Sequence, residues 1–246
     1  MTSSSPAGQV SGPSGPVDPA GPEGPVKPAV PAPPAVAADI FGPALPKAVE
    51  FASLLATAGV ERGLIGPREV PRLWERHLLN CAVVAELLPD GAEVVDVGSG
   101  AGLPGIVLAL LRPADRMTLL EPMLRRTTFL QECVEQLELP QVTICRGRAE
   151  DLAGTIRADV ATSRAVAPLD RLIPWSVGVL RPGGTVLAIK GRDAEAELRH
   201  AGPVLRRLGA RSADVVQAGQ GIVEPPATVV RILTGEPGRR RPRRKR

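Results

Sequence analysis

Residues 93–111, EVVDVGSGAGLPGIVLALL, constrain this chain more than any other stretch. Val94, Val95 and Val97 form a β-branched apolar run, the pattern of a strand buried on both faces. Asp96 interrupts the run, and glycines follow at 98, 100 and 102 before Pro104 and Gly105 open an apolar helix over 104–111. A strand, a glycine turn and a helix in that order predict free backbone N–H groups at a helix N-terminus. Glycines permit φ > 0 and let a ligand approach the main chain closely. The stretch therefore predicts a nucleotide-type ligand at the end of a parallel strand.

Two templates fit these letters. Gly100 to Gly105 satisfies the dinucleotide fingerprint G-x-G-x-x-G, and Glu121 follows at roughly the distance of a ribose-binding acid. Asp96 to Gly102 equally satisfies D-x-G-x-G-x-G, and so resembles the loop of class I S-adenosylmethionine-dependent methyltransferases. The motif alone leaves both open.

The rest of the chain bounds the choice. Its 246 residues can hold one α/β domain with a sizeable core and extra segments. The net charge of +4 depends on residues 239–246, which carry seven basic side chains; without them 23 basic residues face 26 acidic ones. The body is mildly acidic and the basicity is a tail, either a grip for RNA phosphates or a solvated end. Cys81, Cys133 and Cys145 lie far apart without a C-x-x-C pattern, which argues for a reducing compartment and against zinc or a disulfide framework. No signal peptide and no apolar run of membrane-spanning length is present, so a cytoplasmic protein is expected.

Four segments are expected. Residues 1–38 carry proline at every third position from 13 to 34, yet Asp18 and Lys27 break the glycine register of collagen, so a polyproline or disordered tail is expected. Residues 39–90 read as a helical cap, with helices over 44–58 and 71–88. Residues 91–235 read as an alternating α/β domain, and 236–246 as a basic disordered tail. Strands are expected at 93–97, 116–121, 141–145, 158–163 and 184–190, with helices at 104–111, 123–138, 168–180 and 193–208 between and after them. Pro203 should kink or split the last helix. Apolar runs at 213–218 and 227–233, joined without a helix, add an antiparallel hairpin. Seven strands ending in that hairpin fit a methyltransferase sheet better than a six-stranded dinucleotide sheet.

Ligands of open parallel sheets sit beyond the strand C-termini. Glu121 closes the second strand, where it can hold both hydroxyls of a ribose or else cap the next helix. Ala149 and Glu150 follow the third strand and can edge an adenine. Arg164 follows the fourth and Lys190 ends the fifth.

At this point DVGSGAGLPG, LLEPMLRRTTFL, GRAEDL, TSRA, LRPGG, IKG and the helix motif RHLLN together resemble the glucose-inhibited division protein B family, from about Leu45 to Gly235. Departures from the family are Asn80, where Asp is frequent, and Gly63-Leu64-Ile65. The resemblance implies a Rossmann-like class I fold with a helical cap, and methyl transfer from S-adenosylmethionine to N7 of a guanine in the decoding-region loop of 16S rRNA. By position it sets the methyl donor against Gly98, Leu103, the Ala149-Glu150 backbone and Arg164; the glycine turn adds Ser99 and Gly100. No general base is needed, because N7 carries a lone pair and no proton, and no catalytic residue or metal is expected. Substrate contacts are expected at Arg125 and Arg126, read alternatively as helix-surface charges, at Lys190, and at His77, read alternatively as a packed structural group. The partner implied is 16S rRNA or a precursor of the small ribosomal subunit, with no membrane. The rival readings are a nicotinamide-dependent oxidoreductase, which must manage without any tyrosine, and a non-catalytic RNA-binding protein.

Overall fold

The computed structural model of the chain describes residues 30–235. The basic tail and most of the proline-rich segment lie outside them. The order begins with helices α1 (Ala35–Phe41) and α2 (Leu45–Leu54), the latter continuing as a π turn over Leu55–Gly59. Helix α1 corrects the expected boundary at residue 38. Ala37 and Phe41 are buried, Phe41 packs edge-on against Trp74 at 6.2 Å between centroids, and Trp74 Nε1 donates to the Pro31 carbonyl. The proline rhythm hid this apolar anchor.

The helix expected over 71–88 is a succession of tighter and wider turns. A 3₁₀ segment covers Pro67–Arg72, a π-helical segment Leu73–Leu79, α3 Asn80–Ala82 and a final 3₁₀ turn Val83–Leu87. Pro71 has no N–H to donate, and Arg72 leaves the helical path at φ −110°, ψ 11°, so the run restarts at Leu73. π turns of this kind recur at functional sites.

The remainder alternates as expected: β1 (Glu93–Val97), α4 (Gly105–Leu111), β2 (Arg116–Leu120), α5 (Leu124–Gln136), β3 (Val142–Cys145), β4 (Ala158–Arg164), α6 (Leu169–Gly178), β5 (Leu180–Lys190), α7 (Ala194–His200), α8 (Gly202–Arg207), β6 (Ser212–Ala218) and β7 (Ala227–Leu233). Pro203 splits the last helix into α7 and α8. The sheet order is β3-β2-β1-β4-β5-β7-β6, parallel except for β7, which runs antiparallel to both β5 and β6.

Alternation along the buried strands sorts side chains to two cores. Val94, Met117, Leu119, Val160 and Leu187 join the cap helices, α4 and α5 in one cluster. Val95, Val97, Leu120, Ala161 and Val186 join α6 to α8 in the other. The cap therefore shares one hydrophobic cluster with a face of the sheet. Asp96, Thr162 and Arg164 have the parity of the cap-side face, and this brings polar groups of two central strands beneath the cap.

Candidate functional site

The chain runs from β1 to β2 on one side and returns to β4 on the other, so the switch point lies between β1 and β4. Asp96 is level with Thr162 there, which sets Gly98 and Arg164 on either side of the crevice. Gly98, Gly100 and Gly102 all take positive φ, at 73°, 58° and 87°. An added Cβ would meet Val166 Cγ2 at 2.9 Å on Gly98 and Ile106 Cδ1 at 2.5 Å on Gly102. Over Gly100 the nearest atom is the Gly98 carbonyl at 3.7 Å, so the middle of the turn is open to a ligand.

The N–H groups of this turn are more engaged than its sequence suggests. Those of Gly98 and Ser99 donate to the Leu120 carbonyl, and those of Gly102 and Leu103 to the Ser99 carbonyl. The Gly105 N–H, at the start of α4, donates to Asp96 Oδ2 at 2.9 Å. A carboxylate thus already takes a helix N-terminal N–H that a phosphate at this turn would use. Asp96 Oδ1 also accepts from Thr162 Oγ1 at 3.3 Å. Burial pushes the Asp96 carboxyl up to about 6 despite these bonds.

Glu121 is buried at the end of β2. Its Oε2 accepts from the Gly100 N–H at 3.1 Å and its Oε1 from the Met123 N–H at 3.0 Å, while Arg126 Nη1 stands 3.5 Å from Oε2. It joins the strand end, the glycine turn and the start of α5, so the helix-capping reading describes part of what it does. Oε1 accepts one hydrogen bond and keeps a second lone pair, and Glu121 lines the cavity beside the turn.

Two adjoining cavities meet at Gly98, Pro122 and Val166. The larger, with about 1090 Å³ of empty volume, is lined by Ser99, Gly100, Leu103, Glu121, His77 and Arg164, among others. The smaller, about 570 Å³, is bordered by Val97, Leu120, Ala149, Glu150 and Trp175 and is mainly apolar. Every donor-contact residue expected from sequence lies on one of the two walls. The larger cavity, of mixed lining with Glu121 and Arg164 among its walls, and the mainly apolar smaller one match the two ends of an adenosyl amino acid, so the residues present fit that group.

The expected RNA contacts divide. Arg126 lines the larger cavity, and Arg125 is exposed one residue before it on α5. Lys190 is turned away from the cavity: its Nζ donates to the Ala167 carbonyl at 2.8 Å and pairs with Glu197 Oε2 at 2.7 Å. His77 is buried, and its ring joins the cap to Arg164. Arg164 Nη2 and His77 Nδ1 are 2.6 Å apart, and His77 Nε2 and Glu69 Oε2 2.8 Å. Arg164 Nη1 also donates to Cys81 Sγ at 3.4 Å. Glu69 and Cys81 were not legible as site residues, because their approach depends on the irregular turns between 67 and 82.

Burial, reinforced by the Arg164 guanidinium, holds the His77 ring down at about 4. Below pH 6.5 the unfolded chain takes a proton at His77 that the folded chain refuses until about pH 4. Folding stability from this group falls over that window by roughly 3 kcal/mol. Asp96 works in the opposite sense, because the folded carboxyl takes its proton near pH 6 and the unfolded one only near 4. In urea titrations from pH 7 to 4, Asp96→Asn should therefore lose stability more steeply than wild type, and His77→Asn less steeply. Parallel curves for all three would contradict both assignments.

Among the described residues no group of three or more His, Cys, Asp or Glu side chains is arranged to hold a metal ion, and no helix is long and apolar enough to cross a membrane. The sheet order, the antiparallel β7 and the glycine turn facing a carboxylate define a class I methyltransferase of the S-adenosylmethionine-dependent kind. A SAM-dependent methyltransferase from Aquifex aeolicus superposes with a TM-score of 0.50 at 18% identity, covering 69% of this chain and 99% of that one, which shows the shared fold. The family model for GidB, rRNA small subunit methyltransferase G, matches residues 44–223. The chain belongs to that family. Ribosomal RNA small subunit methyltransferase G of Thermobifida fusca is 60% identical over 196 residues, 80% of this chain and 83% of that protein. The protein of the same name from Streptomyces avermitilis is 59% identical over 201 residues, 81% and 84% of the two chains.

Proposed function

We propose that this protein transfers a methyl group from S-adenosylmethionine to N7 of a guanine in the decoding-region loop of 16S rRNA, in the cytoplasm, as free RNA or within an assembling small subunit. The single observation that carries the methyl-donor half is the pair of joined cavities at the β1/β4 switch point, with Asp96 already capping α4. With the Gly105 N–H already held by Asp96, the start of α4 has one donor fewer for a pyrophosphate, whereas S-adenosylmethionine brings no phosphate. The guanine-N7 half rests on membership of the family.

When bound, the donor supplies an electrophilic methyl group on a sulfonium centre. The chain's own residues bind and orient. Ala149, Glu150 and the apolar wall near Trp175 receive the adenine, and the Glu121 carboxylate accepts from the ribose. Gly98, Ser99 and Gly100 let the methionine end lie against the main chain, and Leu103 and Arg164 border that end. The guanidinium uses one hydrogen bond each to His77 and Cys81, which leaves N–H donors for the donor's carboxylate. Arg126, on the cavity wall, and the exposed Arg125 next to it on α5 receive RNA phosphates. N7 has an in-plane lone pair and no proton to lose, so the site's task is alignment of nucleophile and methyl, worth about 7–11 kcal/mol at best. A cation bidentate on guanine O6 and N7 would block the attacked atom, so base recognition must leave N7 open.

Calorimetric titration with S-adenosylhomocysteine and with NADH tests the donor: binding of the first and not the second is expected, and the reverse would reinstate an oxidoreductase. Mapping N7-methylguanine in rRNA from cells with and without the protein tests the acceptor. An unchanged map would remove the proposed target.

A further inference from the structure

We propose that Glu69 and His77 act as a positioning relay for Arg164, so that the helical cap determines how tightly the donor is held. The inference rests on the reading of the larger cavity as the donor site. Arg164 leaves the end of β4, and among the described residues its side-chain hydrogen bonds go to the cap: His77 Nδ1 at 2.6 Å and Cys81 Sγ at 3.4 Å. No ion pair ties it to a carboxylate among those residues, so its charge remains available to an anionic ligand group. A guanidinium only donates, so Nδ1 must be the acceptor and the ring hydrogen must sit on Nε2. Glu69 Oε2, 2.8 Å from Nε2, accepts that hydrogen and so selects the tautomer Arg164 requires.

The sequence of groups is therefore carboxylate, neutral imidazole, guanidinium, with both hydrogen bonds pointing toward Glu69. His77 is buried on the π-helical segment, where Leu73, Trp74 and Leu78 pack around the same turns, so the ring is fixed in place. The charged groups facing it are Glu69 from the 3₁₀ segment, Arg76 from its own segment and Arg164 from β4; Arg76 Nε also lies 3.4 Å from Glu69 Oε2. A proton on Nδ1 would turn the acceptor into a second cation against Arg164. Burial and Arg164 both oppose that proton, holding the ring down at about 4, so the relay is intact at neutral pH.

The test is S-adenosylhomocysteine binding by calorimetry on the full chain, with ligand-free melting temperatures measured in parallel. Glu69→Ala and His77→Phe should weaken binding by about ten- to a hundredfold, the range for a hydrogen bond to a charged group. His77→Asn, whose amide oxygen can stand near the Nδ1 position, and Glu69→Gln, which keeps an acceptor, should recover most of it. Wild-type affinity should fall as pH drops toward 4, and His77→Asn should lack that fall. A structural role alone would make affinity follow melting temperature and give no rescue by the conservative variants. Glu69 is partly exposed, so Glu69→Ala remains informative if His77→Phe does not fold. Wild-type binding with unchanged affinity in Glu69→Ala overturns the relay. Wild type that does not bind overturns the donor site itself, and the relay with it.

Discussion

Glu121→Gln is expected to reduce affinity for S-adenosylhomocysteine by about a hundredfold or more, and to lower folding stability by roughly 1–3 kcal/mol. Both oxygens of the native carboxylate already accept backbone N–H groups, from Gly100 and from Met123, and the side chain itself is buried. An amide places an NH₂ against one of those donors, leaving a buried group unsatisfied and loosening the glycine turn from the end of β2. The same change removes an anionic acceptor from the cavity wall where the ribose is expected. Two losses at one atom pair predict a larger effect on binding than on folding. Calorimetry with the homocysteine analogue and urea unfolding of the ligand-free protein separate them. Unchanged binding with lowered stability would mean that Glu121 serves only the turn.

Gly105→Ala is expected to cost about 3 kcal/mol of folding stability or more, the scale of severe overpacking in a closed core. Gly105 has no positive φ; its constraint is space. A Cβ there would lie 2.3 Å from Leu119 Cδ2, 2.7 Å from Asp96 Oδ2 and 3.0 Å from Asp96 Cβ. Leu119 and Asp96 are both fully buried on adjacent strands, so neither can move aside freely. Displacing Asp96 also breaks its bond to the Gly105 N–H, uncapping α4 at the moment the helix is pushed off the sheet. Gly191→Ala is the control, since nothing lies within 4 Å of a Cβ there. Urea midpoints that move equally little for both variants would show that the β1–α4 packing tolerates expansion.

The parts of the molecule that sequence reading reached are those governed by short-range chemistry. Valine-rich strands, the glycine turn, Pro203 splitting the last helix and the two terminal strands joined without a helix all leave local marks. Alternating strands and helices then allow few topologies. The cap was harder. Pro31 and Pro34 concealed the approach to α1, and an apparent single helix from 71 to 88 is a chain of 3₁₀, π and α turns whose irregularity no periodicity announces. That irregularity sets which side chains meet, so Glu69, eight residues before His77, carries no spacing signal. Lys190 misled for a related reason: a cation at a strand end looks available until α7 supplies Glu197 to engage it.

What the sequence determined by itself was the alternation of strands and helices, the antiparallel pair that ends the sheet and a glycine turn open to close approach, because each of these leaves a local mark in pattern and composition. Only the tertiary structure decided which backbone donors were already used, that Asp96 fills the N-terminus of α4, and that Arg164 is held from the cap. Those outcomes depend on groups far apart in the chain competing for the same hydrogen bonds in a closed space. Such competition is settled by distances that pattern and propensity do not encode.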